Sequence, residues 1–166
     1  MKDVTAALKA RRSVRKYLAK EVPEDVIADV LDCGRLAPTA MNLQPWLIGA
    51  AKDKALLKSL ADASDYGKFI ADAQVCFTVF SEKDKKYRLE DGSAAVMNII
   101  TACQLHGLGT CWVAGDKKAY ADKVRQLLNV PENYGLIALI PAGYPAEEPK
   151  QNKKALEGVS FRDVRR

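Results

Sequence analysis

DGSAAVMNIITACQLHG, residues 91 to 107, decides how this chain folds. Ala94, Ala95, Met97, Ile99, Ile100 and Cys103 go most of the way round a helix instead of forming one stripe. Gly107 is placed to end that helix in the left-handed conformation. A helix that is apolar nearly all round is buried on most of its surface. The fold this implies is α+β: a mixed sheet flanked by helices, with this helix running through the core.

The flanking segments supply the sheet. QVCFTVFS, residues 74 to 81, is rich in β-branched and aromatic residues and reads as a buried strand. Thr110 to Ala114 and LIALIPA, residues 136 to 142, read as two more, with a helix over Lys118 to Leu128 between them. Upstream, a helix is expected over Asp3 to Ala10, capped by Asp3. A second starts at Pro23-Glu24-Asp25, where proline suits the first turn and the acids suit the positive end of the dipole. Its apolar face is Val26, Ile27, Val30, Leu31 and Gly34, and it ends near Arg35. Trp46 to Ala51 reads as a strand and Asp53 to Ala63 as a helix facing inward through Leu56, Leu57 and Leu60. Two helices before the first strand argue against strict βαβ alternation. The tail from Tyr144 to Arg166 is polar and basic.

The 166 residues fit one domain over 1–166, and 48% hydrophobic with 28% charged residues is a globular composition. No segment approaches the roughly 20 apolar residues of a membrane span. The N-terminal residues lack the apolar core of a signal peptide. Cys33, Cys76, Cys103 and Cys111 are widely spaced within apolar runs, which is the pattern of reduced, buried thiols in a cytoplasmic protein. No metal site is expected, because no Cys-x-x-Cys is present and His106 is the sole histidine. The net charge of +5 favours an anionic partner, either nucleic acid or a phosphorylated small molecule. Lys52–Lys54, Lys83–Lys86 and Lys117–Lys118 are scattered without interleaved aromatic residues, so they read as solvated surface and not as a nucleic-acid site.

Four stretches can carry chemistry. Arg11-Arg12-Ser13-Val14-Arg15 puts three guanidinium forks and a hydroxyl together, a set that matches phosphate; alone it reads equally as a solvated basic patch. Lys153-Lys154 is a second basic pair. PTAMNLQPW, residues 38 to 46, is uncharged and braced by Pro38 and Pro45, and Asn42 and Gln44 can both donate and accept, as a flat heterocycle requires. Gly107-Leu108-Gly109-Thr110-Cys111-Trp112 lets the backbone approach something closely, but its spacing is not that of a phosphate-binding glycine loop. His106 sits at a helix end, and Glu147-Glu148 lies between prolines as a surface turn. No side chain reads as the reacting group, so a cofactor is expected to carry the chemistry.

In order and spacing these stretches resemble the nitroreductase family of FMN-dependent oxidoreductases: RRSVRKY at 11 to 17, APTAMNLQPW at 37 to 46, GLGTCWVAG at 107 to 115, then GYPAEEP and KKALE between 143 and 157. The resemblance implies that Arg11, Arg12 and Ser13 hold the FMN phosphate and ribityl chain. Arg15 would stand at the flavin N1–O2 edge. Lys153 or Lys154 would close on the phosphate. Pro38, Thr39, Ala40, Asn42 and Gln44 would reach the flavin from the other subunit. Trp112, Val113, Ala114 and Gly115 would lie along the ring, with backbone N–H groups near 114 and 115 bonding to N5 or O4. The family is homodimeric with FMN at the interface, so residues 150–166 read as an arm that packs on the partner. The implied reaction is ping-pong: NAD(P)H gives hydride to flavin N5, and a nitroaromatic, a quinone or a similar acceptor takes it. The same fold also serves reductive dehalogenation, flavin fragmentation and non-enzymatic flavin binding. Two departures stand out. Only EKDKKYRLE separates the strand ending near Ser81 from the next helix, where larger members have a helical excursion over the flavin, and position 40 is Ala where a hydroxyl is common.

Overall fold

The computed structural model describes residues 4–164. Its centre is a sheet in which strand β5, Tyr134–Gly143, pairs on one side with β2, Val75–Glu82, and β2 pairs outward with β1, Trp46–Ala51. The other side of β5 carries two short strands, β3, Gly109–Thr110, and β4, Val113–Ala114. All these pairings are antiparallel. The parallel component expected of a mixed sheet is reduced to one bridge, Ser13 with Thr110. Between β3 and β4 the Cys111 N–H donates to the Pro141 carbonyl at 3.3 Å, in the same register. The expected strand over Thr110 to Ala114 is therefore one edge ribbon in two pieces.

Helices cover both faces. α2, Glu24–Arg35, and α4, Arg88–Leu105, lie on one; α3, Lys54–Ala63, and α5, Ala121–Leu127, lie on the other. Side chains alternate along a strand, so β2 serves both cores: Val75, Phe77 and Val79 meet the α2–α4 layer, while Cys76 and Phe80 meet the α3–α5 layer. This is why QVCFTVFS shows a continuous apolar run and no alternation. Of the apolar residues expected inside, α4 buries Ala95, Ile99, Ile100 and Cys103, and with them Val96 and Ala102; Ala94 is half-buried and Met97 faces outward. Gly34 lets α2 approach α4 closely: a Cβ there would lie 2.8 Å from Ile99.

Element ends differ from expectation for local reasons. α4 begins about one turn early, at Arg88, because Arg88, Leu89 and Glu90 are good helix formers and Glu90 and Asp91 suit its positive end. α5 begins late. Gly115 to Lys118 form a tight turn in which Lys117 has φ 57°, outside helical geometry. Gly107, at φ 77°, ends α4 as its position implied. The first helix, α1, spans Val4–Ala10 and buries none of its residues; a cap by Asp3 lies outside the described residues. β2 runs through a short turn directly into α4, with no helical excursion. All four cysteines are free; Cys76, Cys103 and Cys111 are buried and Cys33 is partly so.

Candidate functional site

The basic segment after α1 is stitched to the sheet edge. Val14 N–H donates to the Thr110 carbonyl at 2.9 Å, and the Tyr17 hydroxyl donates to the Val14 and Pro141 carbonyls at 2.8 and 3.2 Å. Gly109 permits this contact, since a Cβ there would lie 2.7 Å from Val14. On the far side Leu18 N–H reaches the Tyr144 carbonyl at 2.8 Å, and Ala146 N–H reaches the Lys16 carbonyl at 2.9 Å. Glu147, expected in a plain surface turn, accepts instead from the Arg15 and Lys16 amides at 2.6 and 3.2 Å. These contacts make residues 13 to 18 a rigid ribbon. Tyr17 and Glu147 escaped sequence reasoning as positioning residues, although the Tyr is part of the RRSVRKY stretch; Gly109 does serve the close backbone approach read for its stretch.

The three arginines then separate in role. Arg12 is already committed: its Nε donates to the Gln151 carbonyl at 2.9 Å, and its Nη1 donates to the Lys9 and Arg11 carbonyls at 2.9 and 2.8 Å. Arg11 and Arg15 form no ion pair among the described residues, so their charges are open to an anion. Arg15 lies 5.7 Å from the centre of the Phe69 ring. Cys111 marks where the segment converges. Burial raises its thiol pKa, while Arg15, a hydrogen bond with Ser13, and Arg11 oppose that shift. Lys153 and Lys154 are exposed and form no ion pair among the described residues; the Arg12–Gln151 bond brings the tail just before them beside the cluster.

The edge ribbon supplies backbone donors. In an antiparallel pair successive N–H groups point alternately toward and away from the neighbour. Cys111 and Gly115 donate to β5, the latter to the Ile137 carbonyl at 2.9 Å. The Gly115 N–H is therefore spent in the sheet, which corrects the expectation that it is available to a ligand. The alternation turns the N–H of Trp112 and Ala114 away from β5, toward the open edge. The Ala114 carbonyl is held by the Tyr120 hydroxyl. From Thr110 to Ala114 the ribbon extends about 13 Å at ordinary strand rise. An elongated ligand with an anionic end near Arg11 and Ser13 and a flat head beside Arg15 and along 112 to 114 matches this donor set.

The loop from Pro38 to Trp46 is elsewhere. Asp91, only 5% exposed, accepts from the Thr39 hydroxyl and the Ala40 amide, each at 3.0 Å. Thr39 Oγ1 in turn accepts from the Gln44 amide at 3.1 Å. The loop holds Met41, Asn42 and Gln44 at φ 53°, 54° and 49°, a conformation that non-glycine residues other than Asn seldom adopt. Gln44 Nε2 donates to Asn42 Oδ1 at 3.2 Å, so the two amides already face each other. Asp91 lies near the start of α4 and Gly109 just past its end; the helix between, Asp91 to Leu105, rises about 21 Å. Within one protomer the amide-bearing loop and the arginine segment are thus at opposite ends of α4.

The sequence model of the Nitroreductase family matches residues 8–67 and 65–144. A relative from Methanothermobacter thermautotrophicus, provisionally named NADH dehydrogenase/NAD(P)H nitroreductase, is 34% identical over 152 residues, covering 89% of this chain and 80% of its own length. The FMN-dependent nitroreductase of Clostridium difficile R20291 has a solved structure that superposes with a TM-score of 0.89 at 27% identity, covering 96% of this chain and 99% of its own. An iodotyrosine deiodinase from Thermotoga neapolitana is 27% identical over 176 residues, covering 90% of this chain and 92% of its own length.

Proposed function

The chain belongs to the nitroreductase family, and on that premise we propose that it is an FMN-dependent oxidoreductase that carries hydride from NADH or NADPH to a nitroaromatic, quinone or similar acceptor. The observation that carries the reading is the donor row of Arg11, Ser13 and Arg15, whose two guanidinium groups form no ion pair among the described residues, on the same edge as the outward N–H of Ala114. That set fits FMN. When bound, FMN supplies hydride transfer at its N5.

The chain's own residues bind and orient. Arg11 and Ser13 would hold the phosphate, joined by Lys153 or Lys154. Arg12, tied to Gln151, sets the course of the tail beside them. Arg15 would offset negative charge gathered at the N1–O2 edge, and the Ala114 amide would donate to the ring. Trp112 and Val113 would line it.

A homodimer completes the site in this reading. The 21 Å or so of α4 between the loop and the arginines supports a loop from one subunit, with Pro38, Thr39, Ala40, Asn42 and Gln44, serving the flavin of the other. The surface agrees. α1 buries nothing in the protomer, and a seven-residue helix is marginal without packing. Leu156, Val159, Phe161 and Val164 in the tail are exposed apolar residues, as expected for an arm over 150–166 that lies on a partner. No helix among the described residues is long and apolar enough to cross a membrane. The free cysteines suit the reducing cytoplasm.

The test is a visible spectrum of the purified protein, then anaerobic NADH and NADPH. A yellow protein bleached by at least one donor is expected. A colourless protein that takes up no added FMN would sink the proposal. Reductive dehalogenation is the second reading, favoured by the deiodinase relative. Iodide released from 3-iodotyrosine by the dithionite-reduced holoenzyme would put it first.

A further inference from the structure

The lysines that look scattered in the sequence are not all scattered in space. Lys83, Arg88, Lys117 and Lys118 converge on one depression of about 250 Å³, floored by Gly115, Gly135 and Leu136. Two carboxylates share it. Asp116 bonds to Arg88 at 2.8 Å, and Asp122 lies 3.7 Å from Lys83. Four cations against two anions leave an excess of two positive charges. Lys117 and Lys118 form no ion pair among the described residues.

Arg88 Nε is buried and without a hydrogen-bond partner. Its guanidinium packs on Gly135, where a Cβ would meet Nη2 at 2.7 Å. Ser81 Oγ, on the residue opposite Gly135 in the β2–β5 pair, is likewise buried and unpartnered. Native interiors rarely leave such groups unpaired. Gly115, in its floor, directly follows Ala114, whose amide faces the open sheet edge.

We propose that this depression is an oxyanion subsite: it takes a phosphate or carboxylate group of a redox partner standing at the Ala114 edge. The inference rests on the flavin reading for its place in the reaction, though not for the binding itself. Guanidinium and ammonium donors around a shallow, water-accessible hollow bind oxyanions by charge-assisted hydrogen bonds. Either substrate could bring the anion, the hydride donor through its phosphates or the acceptor through a carboxylate.

The direct test is a titration of the flavin-loaded protein with inorganic pyrophosphate, followed by amide NMR shifts. Saturable shifts at Gly115 to Lys118 and Gly135 are expected. They should weaken by about fivefold or more in Lys117→Asn/Lys118→Ala, the effect of roughly one exposed charge pair. Asn is chosen because it tolerates the left-handed backbone of Lys117. Saturable shifts confined to other residues, or unchanged affinity in the variant, overturn the proposal. Colourless protein in the same titration reports on the flavin reading separately, because pyrophosphate binding needs no flavin. The source is then read from KM in the variant. A rise for NADH or NADPH, relative to the phosphate-free donor 1-benzyl-1,4-dihydronicotinamide, assigns the subsite to the donor. A rise for 4-nitrobenzoate relative to 4-nitrobenzamide assigns it to the acceptor. No selective rise in either pair rejects a role in substrate binding.

Discussion

The Asp91 carboxylate, buried in the first turns of α4, accepts the Thr39 hydroxyl at 3.0 Å and so carries the loop that begins at Pro38. No cation pairs with Asp91 among the described residues, and its second oxygen takes the Ala40 amide. Asp91 is a positioning residue for the loop. Asp91→Ala would leave the half-buried Thr39 hydroxyl and Ala40 amide without their acceptor, at a cost of about 1 kcal/mol. The expected outcome is a lower Tm together with weaker FMN binding, while Asp91→Asn, which keeps an acceptor, recovers much of the FMN affinity. FMN affinity unchanged in Asp91→Ala would show that the loop does not depend on this contact.

Gly109 should be intolerant for a geometric reason. A methyl group at this position would press on Val14 at 2.7 Å and force residues 13 to 15 off the edge ribbon. Gly109→Ala is expected to lose about 1–3 kcal/mol through overpacking and to bind FMN more weakly. Adding Val14→Ala should restore part of both, as read by thermal melts and flavin titration. A double variant no better than the single would argue that the clash is not the cause.

Arg12 fastens the tail through the Gln151 carbonyl, 139 residues away in sequence. A lysine keeps the charge but loses the fork. Arg12→Lys should therefore speed tryptic cleavage at Lys150, Lys153 and Lys154 by roughly fivefold, for about 1 kcal/mol of exposed bonding. Equal cleavage rates in the two proteins would show that Arg12 does not restrain the tail.

The buried thiols predict a pH dependence. Burial pushes Cys76 up from 9.0 to about 12, and it raises Cys103 as well. A folded-state pKa above the unfolded value means that the contribution to stability is complete below the unfolded pKa and is lost as pH rises through the folded one. Denaturant midpoints should therefore fall from about pH 9 toward pH 12, and Cys76→Ala should flatten that decline. Alkylation at pH 8 should modify Cys33 first, since it is the only one of the four not buried. Rapid modification of Cys76 in folded protein would contradict its burial.

What sequence determined by itself was local. The strands over Trp46–Ala51 and Val75–Glu82, the helix from Glu24 to Arg35 and the helix end at Gly107 all follow from side-chain periodicity and turn chemistry acting over a few residues. The motif order led to the family for the same reason, since each motif is a short run with its own spacing. Tertiary structure decided which donors are free. Arg12 is spent on carbonyls, Gly115 N–H is spent on β5, and Arg11, Arg15 and the Ala114 amide are left open. It also found Asp91 for Thr39 and gathered Lys83, Arg88, Lys117 and Lys118 around one hollow. Hydrogen bonds and charge pairs form between residues tens of positions apart. No local pattern records them, because they exist only once the helices and strands have packed.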